Sequence, residues 1–189
     1  RWIAVGVALV LVVGWAFVAA RSLGRDPRAV RSVLIGKEVP AFRLPALGGG
    51  EVSSDSYRGE MLIVNFWASW CVPCIEETPE LRAFSERWED RGVNLVGIVY
   101  NDEEGPAEEF RARFGLTYPQ ALDTSGRTAI DFGVFGVPET YVVDGDGIVM
   151  AKLIGAVDAA TLEAVVASVA AGDTVSSRND RYRTQPGGS

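Results

Sequence analysis

The chain holds two cysteines, and both fall in one C-x-x-C, Cys71-Val72-Pro73-Cys74. At this spacing on a helix the two thiols lie on one face a turn apart, where they can close into a disulfide and open again. A β-rich apolar run, MLIVNFW at 61–67, precedes them, and helix formers follow to about residue 91, with Gly92 as the stop. A cysteine at a helix N-terminus meets unpaired N–H groups and the positive end of the helix dipole. Its thiolate is thereby stabilised, so Cys71 should be more acidic than a free thiol. Pro73 has no N–H to lose in the first turn and restricts the loop between the sulfurs. Attack through one sulfur and resolution through the other is thiol–disulfide exchange.

Three other uses of the pair are weaker. A purely structural disulfide would close so short a loop that it removes little unfolded-state entropy. A metal half-site would need a second chain to complete it. Covalent haem attachment needs His directly after the second cysteine, where this chain has Ile75.

The composition removes further classes. The 189 residues include no histidine, which excludes Ser-His-Asp and Cys-His hydrolases as well as ordinary zinc sites. Two cysteines cannot be the framework of a disulfide-rich scaffold. Charge is unevenly spread: from Lys37 onward there remain 13 of the 18 basic residues but 24 of the 25 acidic ones, a net charge of −11. Phosphate backbones would repel such a domain, and no basic stripe with interleaved aromatics is present, so nucleic acid is not an expected partner.

The elements that must carry the dithiol can be read around it. Strands are expected at 61–67 and 93–100, joined through the helix from about 72 to 91 as a βαβ unit. A short helix at 106–114, a strand near 120–122 and a helical turn at 127–132 follow. Strands at 140–143 and 148–154 are joined by Asp144-Gly145-Asp146-Gly147, a hairpin signal. Asp158 should cap a last amphipathic helix that runs to about residue 170. The expected class is α/β, one domain over 36–172 with a mixed sheet flanked by helices. Residues 173–189 are polar and aperiodic and read as a disordered tail.

Residues 2–20 (WIAVGVALVLVVGWAFVAA) carry no charge, and as a helix they would span roughly the hydrocarbon core of a bilayer. They read as an uncleaved transmembrane anchor, followed by a charged linker over 21–35. A cleaved signal peptide is the rival, although such apolar regions are shorter; a buried core helix fits the uniform apolarity less well. Four arginines (Arg21, Arg25, Arg28 and Arg31) follow the run and only Arg1 precedes it, a bias that opposes an extracytoplasmic domain.

Val64-Asn65-Phe66-Trp67-Ala68-Ser69-Trp70-Cys71-Val72-Pro73-Cys74, with Pro79 five residues on, resembles the active-site segment of the thioredoxin superfamily. Gly133-Val134-Phe135-Gly136-Val137-Pro138-Glu139-Thr140 is similar to its cis-proline loop. That match implies a cis Val137-Pro138 bond beside the cysteines and a backbone edge on which an extended substrate can pair. Leu34-Ile35-Gly36-Lys37, Val39-Pro40-Ala41-Phe42-Arg43-Leu44, Gly97-Ile98-Val99-Tyr100 with Asp102, and Pro138-Glu139-Thr140 are similar to the CcmG/DsbE family. This likeness spans about residues 33 to 171.

The resemblance implies a thioredoxin-like fold and a membrane-anchored thiol:disulfide oxidoreductase of cytochrome c maturation. Such a protein, held in the inner membrane by residues 2–20 with its domain in the periplasm, would keep the haem-binding cysteines of apocytochrome c reduced. Cys71 would attack, Cys74 would resolve, and a membrane dithiol donor would recharge the pair. No cofactor is called for, since the dithiol carries the electrons. Trp70, Pro73, Glu77, Val137, Pro138 and Glu139 would bind substrate or tune the sulfurs.

The match departs in two places. Thioredoxin has a buried Asp where this chain has Asn65; Glu77 is either the proton acceptor in its stead or a solvated helix-face carboxylate. Glu139 matches the family's acidic groove, but the acid that some members carry after the glycine near Gly155 is Ala156 here. The acids Asp102, Glu103, Glu104, Glu108 and Glu109 read as a solvated face. The same dithiol run in reverse would be a disulfide-forming oxidant, and a non-catalytic apocytochrome-docking chaperone is a third reading.

Overall fold

A computed structural model describes residues 33–178 and 183–185. The expected anchor at 2–20, most of the linker at 21–35 and parts of the expected tail lie outside them. Among the described residues no helix is long and apolar enough to cross a membrane.

Strands β1 (Arg43–Pro45) and β2 (Glu51–Ser53) form a small antiparallel hairpin. Its turn runs through Gly48, Gly49 and Gly50 at φ of 84°, 102° and 88°, where an L side chain would be strained. The main sheet begins with β3 (Met61–Trp67), which leads into α1 (Val72–Trp88) and returns as β4 (Val93–Tyr100), parallel to β3 from Met61↔Val93 to Trp67↔Val99. Helix α2 (Glu104–Phe114) and the parallel strand β5 (Gln120–Asp123) extend the sheet on that side. After α3 (Arg127–Phe132), β6 (Glu139–Val143) runs antiparallel to β3 and β7 (Val149–Ile154) antiparallel to β6. Helix α4 (Ala159–Ala170) starts from Asp158, whose Oδ1 accepts the Thr161 N–H at 2.7 Å as an N-cap should.

Period-two alternation along β3 explains how the sheet is covered. Ile63 and Trp67 face the core shared with α1, α2 and α4, among Leu81, Phe84, Phe110, Leu162 and Val165. Leu62, Val64 and Phe66 face the other side, with Phe42, Phe132 and Tyr141. A strand covered on both faces must be apolar throughout, and MLIVNFW is, apart from Asn65. Asn65 shares its face with Ile63 and Trp67, so its amide points toward α1.

Two expected boundaries are corrected. The segment expected to be disordered instead adds β8 (Thr174–Arg178), parallel to β7, and β9 (Arg183–Gln185), antiparallel to β8. The order becomes β5-β4-β3-β6-β7-β8-β9. An added strand gains its stability through backbone pairing along the open β7 edge and needs little apolar patterning; here Val175 is buried in the core. At the other end, Leu34, assigned to the linker, packs against the core, and the Gly36 N–H donates to Val149 O at 2.8 Å.

Candidate functional site

The strand β3 ends at Trp67, and after Ala68, Ser69 and Trp70 the chain enters α1 through Cys71 at its N-cap position. Cys71 and Cys74 are joined as a disulfide. The Cys71 Sγ accepts the Cys74 N–H at 3.2 Å, a donor of the helix terminus that it shares with Cys71 O at 3.1 Å. Both cysteines are nearly enclosed, at 3% and 1% exposure, so in the oxidised state burial does not separate an open first sulfur from a shielded second one. The asymmetry lies in the hydrogen bonding. Pro73 falls in the first turn, as expected, and Pro79 lies inside α1.

The loop before the disulfide is held from β4's end. Asp102 accepts the Ser69 N–H at 2.6 Å, and the Trp70 indole N–H donates to Asn101 O at 3.1 Å. Asn101 takes φ 48°, a conformation Asn tolerates better than most residues. Asp102, read as part of a solvated face, is therefore a clamp on the active-site loop. Trp70, Val72, Ile75 and Phe135 form the exposed apolar side chains around the C-x-x-C and the proline loop.

Glu77 is not on a solvated helix face. It is buried, and its two oxygens accept the Asn65 side-chain amide at 2.9 Å and the Val157 N–H at 3.0 Å. Asn65 also donates to Thr140 Oγ1 at 3.0 Å. Burial raises the Glu77 pKa from 4.5 to about 7 against the lowering effect of these two hydrogen bonds. A carboxyl one turn beyond Cys74 that changes charge near neutrality can take or return a proton.

The Val137-Pro138 bond is cis. Pro138 is buried between the loop and β6, and its carbonyl accepts the Gly155 N–H at 2.9 Å. Glu139 is also buried, so it does not line an open acidic groove. Its Oε2 meets Lys152 Nζ at 2.8 Å and the Tyr141 hydroxyl at 3.2 Å, and its Oε1 accepts the Phe135 N–H at 3.2 Å. Burial first, and the adjacent Glu139 charge second, push the Tyr141 phenol pKa up. Glu139 and Tyr141 alternate with Thr140 along β6, and Thr140 bonds toward Asn65. The two carboxylates therefore lie on opposite faces of the sheet.

Asn65, Thr140, Tyr141, Lys152 and Val157 were not singled out as site partners from sequence. Two of them left a signal: Asn65 as the one polar residue of MLIVNFW, and Lys152 as the lone charge in the apolar strand VMAKLI, which a two-sided strand tolerates only with a buried partner. Among the described residues no cluster of three or more His, Cys, Asp or Glu could hold a metal ion.

Comparison with known proteins agrees with this fold. Residues 35–152 match the AhpC/TSA family. The fold superposes on a solved thiol:disulfide interchange protein of the thioredoxin family from Chlorobium tepidum TLS, with TM-score 0.63 and 30% identity, covering 76% of this chain and 97% of that one. A dithiol at the head of a helix in this fold makes the protein a thioredoxin-like thiol–disulfide oxidoreductase. Among curated relatives, HelX of Rhodobacter capsulatus is 38% identical over 133 residues, 69% of this chain and 73% of the relative. DsbE of Pseudomonas fluorescens biotype C is 36% identical over 160 residues, 84% of this chain and 87% of the relative. The chain belongs to the CcmG/DsbE family of thiol:disulfide interchange proteins.

Proposed function

We propose that the protein is a membrane-anchored reductant that faces the periplasm and keeps the haem-binding cysteines of apocytochrome c reduced during cytochrome c maturation. The observation that carries the reading is the Cys71–Cys74 pair at the N-cap of α1 with the buried carboxyl Glu77 one turn behind it. In the reduced protein the Cys71 thiolate, retaining the Cys74 N–H, attacks one sulfur of the substrate disulfide. That S–S bond breaks, and its leaving sulfur takes up a proton. Cys74 then gives its proton to Glu77 and attacks Cys71 Sγ, which breaks the mixed disulfide; the second substrate sulfur leaves as a thiolate and takes up the proton that Glu77 gives back. The substrate gains two electrons and two protons, and the protein becomes the disulfide.

A dithiol donor in the membrane would return those electrons. The Cys71–Cys74 pair does the exchange, while Trp70, Pro73, Glu77, Val137, Pro138 and Glu139 shape or tune it. Residues 2–20 would anchor the chain. The assignment is tested by reacting the reduced protein with a disulfide-bonded C-x-x-C-H peptide, and by trapping the mixed disulfide with Cys74→Ala. Peptide reduction and a trapped apocytochrome support the reading. A protein that equilibrates with glutathione as a strong oxidant and does not reduce the peptide would defeat it. A reporter fused after Ser189 that works only in the cytoplasm would defeat the topology.

A further inference from the structure

Lys152 is the most deeply placed cation of the described residues, at 2% exposure, and it lies on a strand with no catalytic residue. Its Nζ donates to Gly133 O at 3.0 Å and to Glu139 Oε2 at 2.8 Å. It also stands 5.3 Å from the centre of the Phe135 ring and 5.0 Å from that of Tyr141, within cation–π range of both. Glu139 reaches the same loop from the other side through the Phe135 N–H, and the Tyr141 hydroxyl donates to Phe132 O at 2.8 Å. Four points of the segment from Phe132 to Phe135 are thus fixed by three buried side chains that meet at Lys152. Beyond these ties the chain is open: Gly136 and Val137 make no backbone hydrogen bond among the described residues, and Phe135 is 79% exposed.

A buried ammonium loses its hydration, so it persists only where its partners replace water, and here all the partners belong to or brace one loop. A core position that needed only volume would be filled more cheaply by Met or Leu. We propose that Lys152 is a positioning residue for substrate recognition: through Gly133, Glu139 and Phe135 it sets the loop that offers a peptide substrate the Phe135 ring and the unpaired backbone of Gly136 and Val137. The substrate it serves is an extended peptide segment with an apolar side chain beside its cysteine, able to pair with that backbone and rest on the ring. Small disulfides, which reach the sulfurs without using the loop, are indifferent to Lys152. This inference rests on Cys71 and Cys74 being the exchanging pair and does not require that the peptide come from apocytochrome.

The test compares, in the full-length reduced protein, the second-order rate constants for a disulfide-bonded ten-residue C-x-x-C peptide with apolar flanks and for 5,5′-dithiobis(2-nitrobenzoate). Lys152→Met with Glu139→Gln removes both charges together, so neither is left buried alone. The ratio of peptide rate to small-disulfide rate should fall about tenfold, equivalent to about 1.4 kcal/mol. Phe135→Ala changes an exposed side chain without opening the core, and it should lower the same ratio by a similar factor. Combining it with the Lys152/Glu139 pair should add less than about threefold, because both changes act through one loop. An unchanged ratio in Phe135→Ala, full additivity, or an equal fall of both rates would overturn the proposal, the last by reducing Lys152 to a structural role. Wild-type protein inert toward both substrates would overturn the reading of the dithiol and this inference with it.

Discussion

Replacing Glu77 by Gln should stabilise the oxidised protein, and increasingly so as the pH rises. The folded carboxyl holds its proton up to about pH 7, against 4.5 when exposed, because burial disfavours its charge more than the Asn65 and Val157 hydrogen bonds favour it. Between those values the folded state binds more protons than the unfolded chain. The contribution of Glu77 to stability is therefore complete below pH 4.5 and is lost as the pH climbs through 7. At about 1.4 kcal/mol per pH unit the whole span is worth about 3 kcal/mol.

Gln cannot ionise and escapes this loss. Its carbonyl can accept the Val157 N–H, and its amide can face Asn65 if that side chain turns its oxygen inward, so at most one hydrogen bond of about 1 kcal/mol is sacrificed. Urea unfolding of wild type and Glu77→Gln, both with the disulfide intact, at pH 4 and pH 8 gives the answer. The variant should gain about 3 kcal/mol relative to wild type between the two pH values, while every other titrating group cancels in the comparison. A change below about 1 kcal/mol, or of opposite sign, would mean that Glu77 ionises as an ordinary surface acid. Its role as proton partner of Cys74 would then fall as well.

Gly97→Ala should destabilise by about 2 kcal/mol in urea unfolding, because its Cβ would lie 2.0 Å from Gln120 Oε1 and 2.8 Å from Trp67 Nε1, two atoms that are hydrogen-bonded to each other. Lys152→Met alone strands the Glu139 carboxylate and should cost about 3–5 kcal/mol, more than Lys152→Met with Glu139→Gln, in the same measurement. Alkylation of the reduced protein at neutral pH, followed by peptide mapping, should label Cys71 before Cys74; equal rates would refute the benefit ascribed to the helix terminus.

The β3–α1–β4 unit and its dithiol were legible because their signals are local: a two-sided strand is continuously apolar, the C-x-x-C opens a run of helix formers, and Gly92 ends it. The cis-proline loop was legible through eight consecutive residues. What surrounds Glu77 was not. Asn65 lies 12 residues before Glu77 and Val157 80 residues after it, and no pattern along the chain shows which donors will converge on one carboxyl. Strand β8 escaped notice because backbone pairing to an existing edge leaves little mark on side-chain periodicity.

The placement of Glu77 and Glu139 also changes what the two acids can do. Read along the sequence, Glu77 was either a proton acceptor or a solvated helix-face carboxylate, and Glu139 part of an acidic groove. Alternation along β6 separates them, Glu139 to the face of α3 and Glu77 to the face of α1. Glu77 has only neutral hydrogen-bond donors, so burial is free to move its pKa toward neutrality, as a proton partner requires. Glu139 has the Lys152 ammonium within hydrogen-bond distance, and the pair presents little net charge to the sulfurs. On the proposed function, charge tuning of the dithiol would fall to Glu77 and loop geometry to Glu139. Glu77→Gln should shift the pH profile of exchange with every substrate alike, whereas the Lys152–Glu139 change should separate peptides from small disulfides. If the pH profile moved with Glu139 while Glu77→Gln left it unchanged, this division between the faces would be wrong.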